Sequence, residues 1–235
     1  PPTMRSLGGE AARAPADAKG ILQHEGRALT SERVRQLINH YALDHDCSLL
    51  HGSIVVTLPQ VADCHHSGAG PLRVDLPVIV DIFPTHNETH YCGDCTRTVV
   101  NGDPDDTFRD MHACVVRAHA AGCAALRPGT TGMAVHSKVM EVILAGGYSM
   151  GQPPKDADEG FISMRHGTGH GIGLDVHEPI LLAKGGGEIL EHEVFTVEPG
   201  LYSAKHGGVR VEDMLAITIA GSENFNQLHT GLDWS

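Results

Sequence analysis

Residues 166–178 read HGTGHGIGLDVHE. His166 and His170 stand four apart, the spacing of two zinc ligands on a helix, but glycine at 167 and 169 opposes a helix there. No Glu follows His166 directly, so the helical metalloprotease motif is not met. The glycines fit neither GxGxxG nor a Walker loop in register, which excludes a nucleotide cradle. What remains is a glycine-rich turn that aims one ligand, His170, inward.

Outward from that turn, four acidic residues sit inside apolar, strand-like runs: Asp81 in PVIVDIF, Asp94 in YCGDCTRT, Glu198 in VFTVEPG and Glu212 in GVRVEDMLAI. A carboxylate taken out of water costs several kcal/mol or more unless it is paired or bound to metal. The plainer reading has these acids capping strands or pairing with Arg97 and Arg210, but two arginines neutralise only two of them. Two divalent cations bring four positive charges to four negative ones, so the arithmetic favours a two-metal site. Four carboxylates and one imidazole form a hard donor set, suited to Mn first, then Co or Fe, with Zn a poorer fit. Two such ions sharing a hydroxide and polarising a carbonyl are equipped for amide or ester hydrolysis.

A chain of 235 residues, 41% hydrophobic, has enough apolar side chains for one large domain. With 29 acidic against 17 basic residues and a net charge of −12, nucleic acid and anionic membrane are poor partners. A small molecule or peptide fits better. No run approaches the roughly 20 apolar residues of a bilayer span, and the start shows no signal-peptide pattern. A cytoplasmic location is expected, with export left open because the chain begins at Pro1 rather than Met. The six cysteines are read as free thiols. Cys92 and Cys95 form a CxxC with Asp94 inside it and no second CxxC, so they are read as small residues flanking a functional acid.

Residues 1–28, rich in Ala, Gly, Pro and Arg without a clean period, read as a leader or linker, and the folded domain is expected over 29–235. Helices are predicted from a Thr30 or Ser31 cap with Val34, Leu37, Ile38 and Tyr41 on one face, and over 106–127 with Phe108, Met111, Val115 and Ala118 inward. A third is predicted over 131–145, burying Val135, Val139, Val142 and Ile143. Strands are expected at 53–58, 77–83, 89–100, 193–198 and 209–219. The mixed order indicates an α+β fold. Gly147–Gly151 spells GxSxG, but a helix precedes Ser149 where a hydrolase elbow needs a strand, so Ser149 is not read as a nucleophile.

Taken together, an Asp ending an apolar strand, DCTRT from Asp94, HGTGHGIGLDVHE, VEPG from Val197 and RVED from Arg210 resemble the M24 metallopeptidases of pita-bread fold. The resemblance runs from about Leu29 to about Ile219. It implies an α+β fold with pseudo-twofold halves around a dinuclear centre whose ligands are Asp81, Asp94, His170, Glu198 and Glu212, with Asp94 and Glu212 bridging. The flanks resemble aminopeptidase P and prolidase more than methionine aminopeptidase, which implies cleavage of an amino-terminal Xaa-Pro bond in a short peptide by a metal-bridging hydroxide. The resemblance assigns His65, with His66 its rival in the doubled register, together with His166 and His177, to the substrate and the tetrahedral intermediate. Glu198 accepts and returns the proton, and Arg210 either meets the proline side or orients Glu212. It also allows a homodimer. Relatives of this kind carry an amino-terminal domain for which the chain shows no room. Ile82-Phe83-Pro84 stands where many relatives have a glycine, and the 13-position step from Asp81 to Asp94 implies a longer hairpin. A methionine aminopeptidase-like or creatinase-like hydrolase and a noncatalytic pita-bread binding module are the competing readings, and the complete ligand set counts against the last two.

Overall fold

The computed structural model of the chain describes residues 12–232, a mixed arrangement of helices and mainly antiparallel sheets, with one parallel pair, Ser149–Met150 beside Ser163–Met164. The long helices begin where side-chain caps predict. Thr30, Asp105 and Thr131 each accept a hydrogen bond from the backbone N–H three residues on, opening Ser31–Leu43, Asp106–Ala125 and Gly132–Ala145. Phe108, Met111, Val115 and Ala118 are fully inside, as are Val135, Val139 and Ile143. Val142, expected inward, is only partly buried, as are Leu37 and Tyr41. The two later helices pack with Leu201, Val209 and Val211 in one apolar cluster.

A three-stranded sheet runs Ser53–Val56, Pro77–Ile82, Cys95–Val100, with every residue of the last two strands buried. A five-stranded sheet has the order Glu178–Leu182, Gly169–Gly171, Val194–Val197, Asp213–Thr218, Gly221–Asn224. A four-stranded sheet carries Gly207–Arg210 and Gly200–Ser203. The three-stranded and five-stranded sheets each contribute an antiparallel pair, 77–82 with 95–100 and 194–197 with 213–218.

Two expected strands are shorter than their sequence pattern. The run 89–100 is strand only from Cys95: His90 has a positive φ of 62°, its N–H returns to His86 O, and Cys92 N–H donates to Gly173 O. The enlarged hairpin tip therefore docks on the glycine-rich turn instead of continuing the ladder. The run 209–219 breaks at Val211-Glu212, because Gly207–Arg210 pairs with Gly200–Ser203 while Asp213–Thr218 crosses to Val194–Val197. Within the segment read as a leader, residues 12–28 pack on the domain: Leu22 is buried beside Leu29, Ile38 and Leu72, and a short ribbon pairs Gln23–His24 with Arg27–Ala28.

Candidate metal centre

The two antiparallel pairs bring the acids together at strand ends. Asp81 lies opposite Thr96 and Ile82 opposite Cys95, so Asp94 stands one position beyond the rung that follows Asp81. Val197 lies opposite Asp213, which places Glu198 and Glu212 at the next position of the second pair. Thr96 ties the pairs: its carbonyl accepts from Glu212 N–H (3.1 Å) and its hydroxyl donates to Glu212 Oε2 (2.6 Å).

His170 enters on the short Gly169–Gly171 strand, its N–H donating to Thr196 Oγ1. This approach depends on Gly169, where a Cβ would stand 2.0 Å from Thr196 O. His170 Nδ1 lies 3.0 Å from Gly171 O, a contact that directs Nε2 toward Asp94 Oδ2 (3.8 Å) and Glu198 Oε1 (3.7 Å). One donor atom each from Asp94, His170 and Glu212 falls within 4.8 Å of the others.

All nine residues singled out in the sequence line one cavity of about 530 Å³. Asp81, Asp94, His170, Arg210 and Glu212 form its buried floor, Glu198 and His166 are partly exposed in its wall, and His65 and His177 are exposed. His66, the rival to His65, instead accepts Gly68 N–H at Nδ1.

The electrostatics of the floor call for positive charge. Arg97 does not supply it: its guanidinium donates to Asp213 Oδ1 (2.6 Å) and to the carbonyls of Thr96 and Glu212. Arg210 does reach one acid, donating to Asp81 Oδ2 at 2.7 Å. Among the described residues one basic side chain thus faces four carboxylates, and Asp81 Oδ1 and Asp94 Oδ1 are buried without any hydrogen-bond partner. Burial, reinforced by the surrounding carboxylates, holds Asp94 and Glu212 well above the usual carboxylate range. Burial lifts Glu198 to about 7, with Asp81 adding to the shift and Arg210 opposing it. Burial likewise lowers His170 to about 4, keeping the imidazole neutral and able to ligate. Orphaned carboxylate oxygens beside a neutral imidazole fit a hard divalent cation.

Tyr202 is a functional candidate that sequence reading missed. It is wholly buried, its hydroxyl lies 2.7 Å from His166 Nε2, and it accepts from Arg210 Nη1 (2.8 Å). With Nδ1 2.8 Å from Gly167 O, both ring nitrogens of His166 are engaged, and burial beside Arg210 lowers its pKa to about 3. The one available signal was a tyrosine in a buried strand just past VEPG, since a buried phenol needs a partner. Cys64, Phe83 and His51 also line the cavity.

The model of metallopeptidase family M24 matches residues 4–219. The chain belongs to that family. Among curated M24 relatives, an uncharacterized peptidase YqhT from Bacillus subtilis is 39% identical over 133 residues, covering 56% of this chain and 34% of its own. A Xaa-Pro dipeptidase from Pyrococcus furiosus is 35% identical over 156 residues, 66% of this chain and 40% of its own. The solved dipeptidase PepE from Mycobacterium ulcerans superimposes with a TM-score of 0.78 at 26% identity, covering 98% of this chain and 57% of that one. This M24 chain thus has the expected pita-bread fold, and it spans less than half the length of those curated relatives.

Proposed function

We propose that this M24 domain hydrolyses the amino-terminal Xaa-Pro bond of short peptides, with two divalent cations, manganese first, held by Asp81, Asp94, His170, Glu198 and Glu212. The observation that carries the reading is the convergence of these five side chains on one cavity, with two buried carboxylate oxygens lacking any partner among the described residues. Bound there, the cations would supply Lewis acidity toward a carbonyl and make a water acidic enough to ionise near neutral pH.

The remaining work belongs to the chain's own groups. Glu198, partly open to the cavity, takes and returns a proton at a carboxylate oxygen. His177 packs its ring 4.3 Å from that of His170 and hydrogen-bonds to no described residue, leaving an N–H for the substrate carbonyl oxygen. His65, also exposed on the cavity, is assigned to the same face of the substrate. His166 contributes an oriented ring fixed between Gly167 and Tyr202. Arg210, bonded to Asp81, Tyr202 and the Cys64 carbonyl, acts by holding Asp81 and Tyr202 in place. A proline in the second position has no N–H to offer, so its acceptance needs a site that does not demand that donor.

The test is a peptide panel offered to metal-stripped protein refilled with Mn, Co or Zn. Cleavage of Xaa-Pro-Yaa supports an aminopeptidase P activity, and cleavage confined to Xaa-Pro supports a dipeptidase. Cleavage of Met-Ala alone would overturn the proline preference.

A further inference from the structure

Outside the carboxylate floor, three consecutive residues place metal-ligating atoms together: Asp63, Cys64 and His65 each bring one within 4.8 Å of the others. Cys64 Sγ lies 3.6 Å from His65 Nδ1. A tetrahedral zinc, with Zn–S about 2.3 Å and Zn–N about 2.0–2.1 Å, sets those two atoms about 3.5–3.6 Å apart. The pair therefore already has the spacing of two ligands on one ion.

The turn is held by contacts that leave its ligand atoms in place. A 3-10 turn over Gln60–Ala62 leads into it, His66 N–H returns to Asp63 O (3.0 Å), and Asp63 Oδ1 accepts from His65 N–H (3.0 Å). Two distant arginines fix the backbone: Arg165 donates to Ala62 O and Arg210 to Cys64 O (3.2 Å). Cys64 is seated among Val56, Val61, Ile79 and Tyr202, while Asp63 and His65 are exposed and Cys64 and His65 line the cavity.

We propose that Asp63, Cys64 and His65 form a second cation site, distinct from the carboxylate floor and selective for a soft divalent ion such as zinc or cadmium. Thiolate and imidazole donors favour soft ions, whereas the floor offers mainly carboxylate oxygen. Binding breaks the S–H bond and releases one proton to solvent. Thiolate and Asp63 carboxylate then balance the two positive charges, and a fourth position is left to water. Filling the site pins the His65 ring and slows turnover, a consequence that rests on the proposed role of His65; the binding itself does not.

The test uses protein whose carboxylate floor is first loaded with manganese. Cadmium titration is expected to raise a thiolate-to-cadmium charge-transfer band in the ultraviolet that saturates at one equivalent, a signal that oxygen ligands do not produce. Cys64→Ser removes the band, whereas Cys47→Ser and Cys92→Ser keep it. Asp63→Asn, at an exposed position, retains the fold and weakens cadmium binding about tenfold or more. No band in the wild type, or an undiminished band in Cys64→Ser, overturns the site. If Cys64→Ser does not fold, unchanged cadmium affinity in Asp63→Asn overturns it instead. In the peptide assay, zinc inhibits manganese-loaded wild type about tenfold more strongly than Cys64→Ser; equal inhibition removes the link to turnover. Absence of peptide cleavage in every form would count against the proposed function while leaving the cadmium result standing.

Discussion

In metal-free protein, Glu198→Gln is expected to stabilise the fold at pH 8 and to change it little near pH 4.5. The folded-state pKa of Glu198 rises from 4.5 to about 7, first through burial and then through Asp81. A carboxyl raised in this way contributes stability that is full below its unfolded value and is lost as pH rises through the folded one. The shift corresponds to about 3 kcal/mol at a pH above both values. Gln keeps the shape and hydrogen-bonding reach of Glu without the charge, so the variant escapes that loss. At about 2–4 °C per kcal/mol for a domain of this size, its melting temperature should exceed that of the wild type by about 6–12 °C at pH 8. Calorimetry on chelator-stripped protein across pH 4.5 to 8 measures the difference. Manganese should reverse the order, because the wild-type carboxylate then gains a cation, and Glu198→Gln should lose peptide hydrolysis. A metal-free difference that is independent of pH, or a variant less stable at pH 8, would refute the reasoning that an uncompensated charge sits at this position.

Other predictions concern neighbouring contacts. His177→Ala should lower kcat/KM far more than metal content, and loss of both metals by elemental analysis would show its ring to be a support for His170 rather than a substrate contact. Arg97→Met should lower stability by about 3–5 kcal/mol in urea unfolding, because Asp213 would remain buried without its arginine, keeping only Asn224 and His119 beside it; a change under about 1 kcal/mol would contradict the buried pair. Gly169→Ala should abolish manganese binding in calorimetric titration, since its Cβ would meet Thr196 O at 2.0 Å and push His170 off the adjacent strand. Tyr202→Phe should cost about 1–3 kcal/mol by leaving His166 Nε2 and Arg210 Nη1 one partner short, and an unchanged unfolding midpoint would argue against that network.

Much of the scaffold follows from local chemistry. Thr30, Asp105 and Thr131 mark helix starts because a side-chain oxygen satisfies a backbone N–H three residues away, and Phe108 to Ala118 mark an inward face because helical periodicity is fixed. The carboxylates were legible because acids inside apolar strands are anomalous unless something compensates them. Their convergence, however, depends on strand pairing. The run 209–219 reads as one strand, and nothing in its alternation tells Arg210 to pair with Gly200 while Asp213 pairs with Val197. That change of sheet leaves Glu212 at the break, where it meets Thr96 from the other half of the domain. Charge counting treated Arg97 and Arg210 alike, yet tertiary packing commits Arg97 to Asp213 and only Arg210 to the floor. The role of Tyr202 and the Cys64–His65 pair were equally out of reach. Sequence by itself determined which side chains are costly to bury and which local elements form; only the tertiary structure decided which of them share a site, because pairing partners far apart in the chain are chosen by packing and not by neighbouring residues.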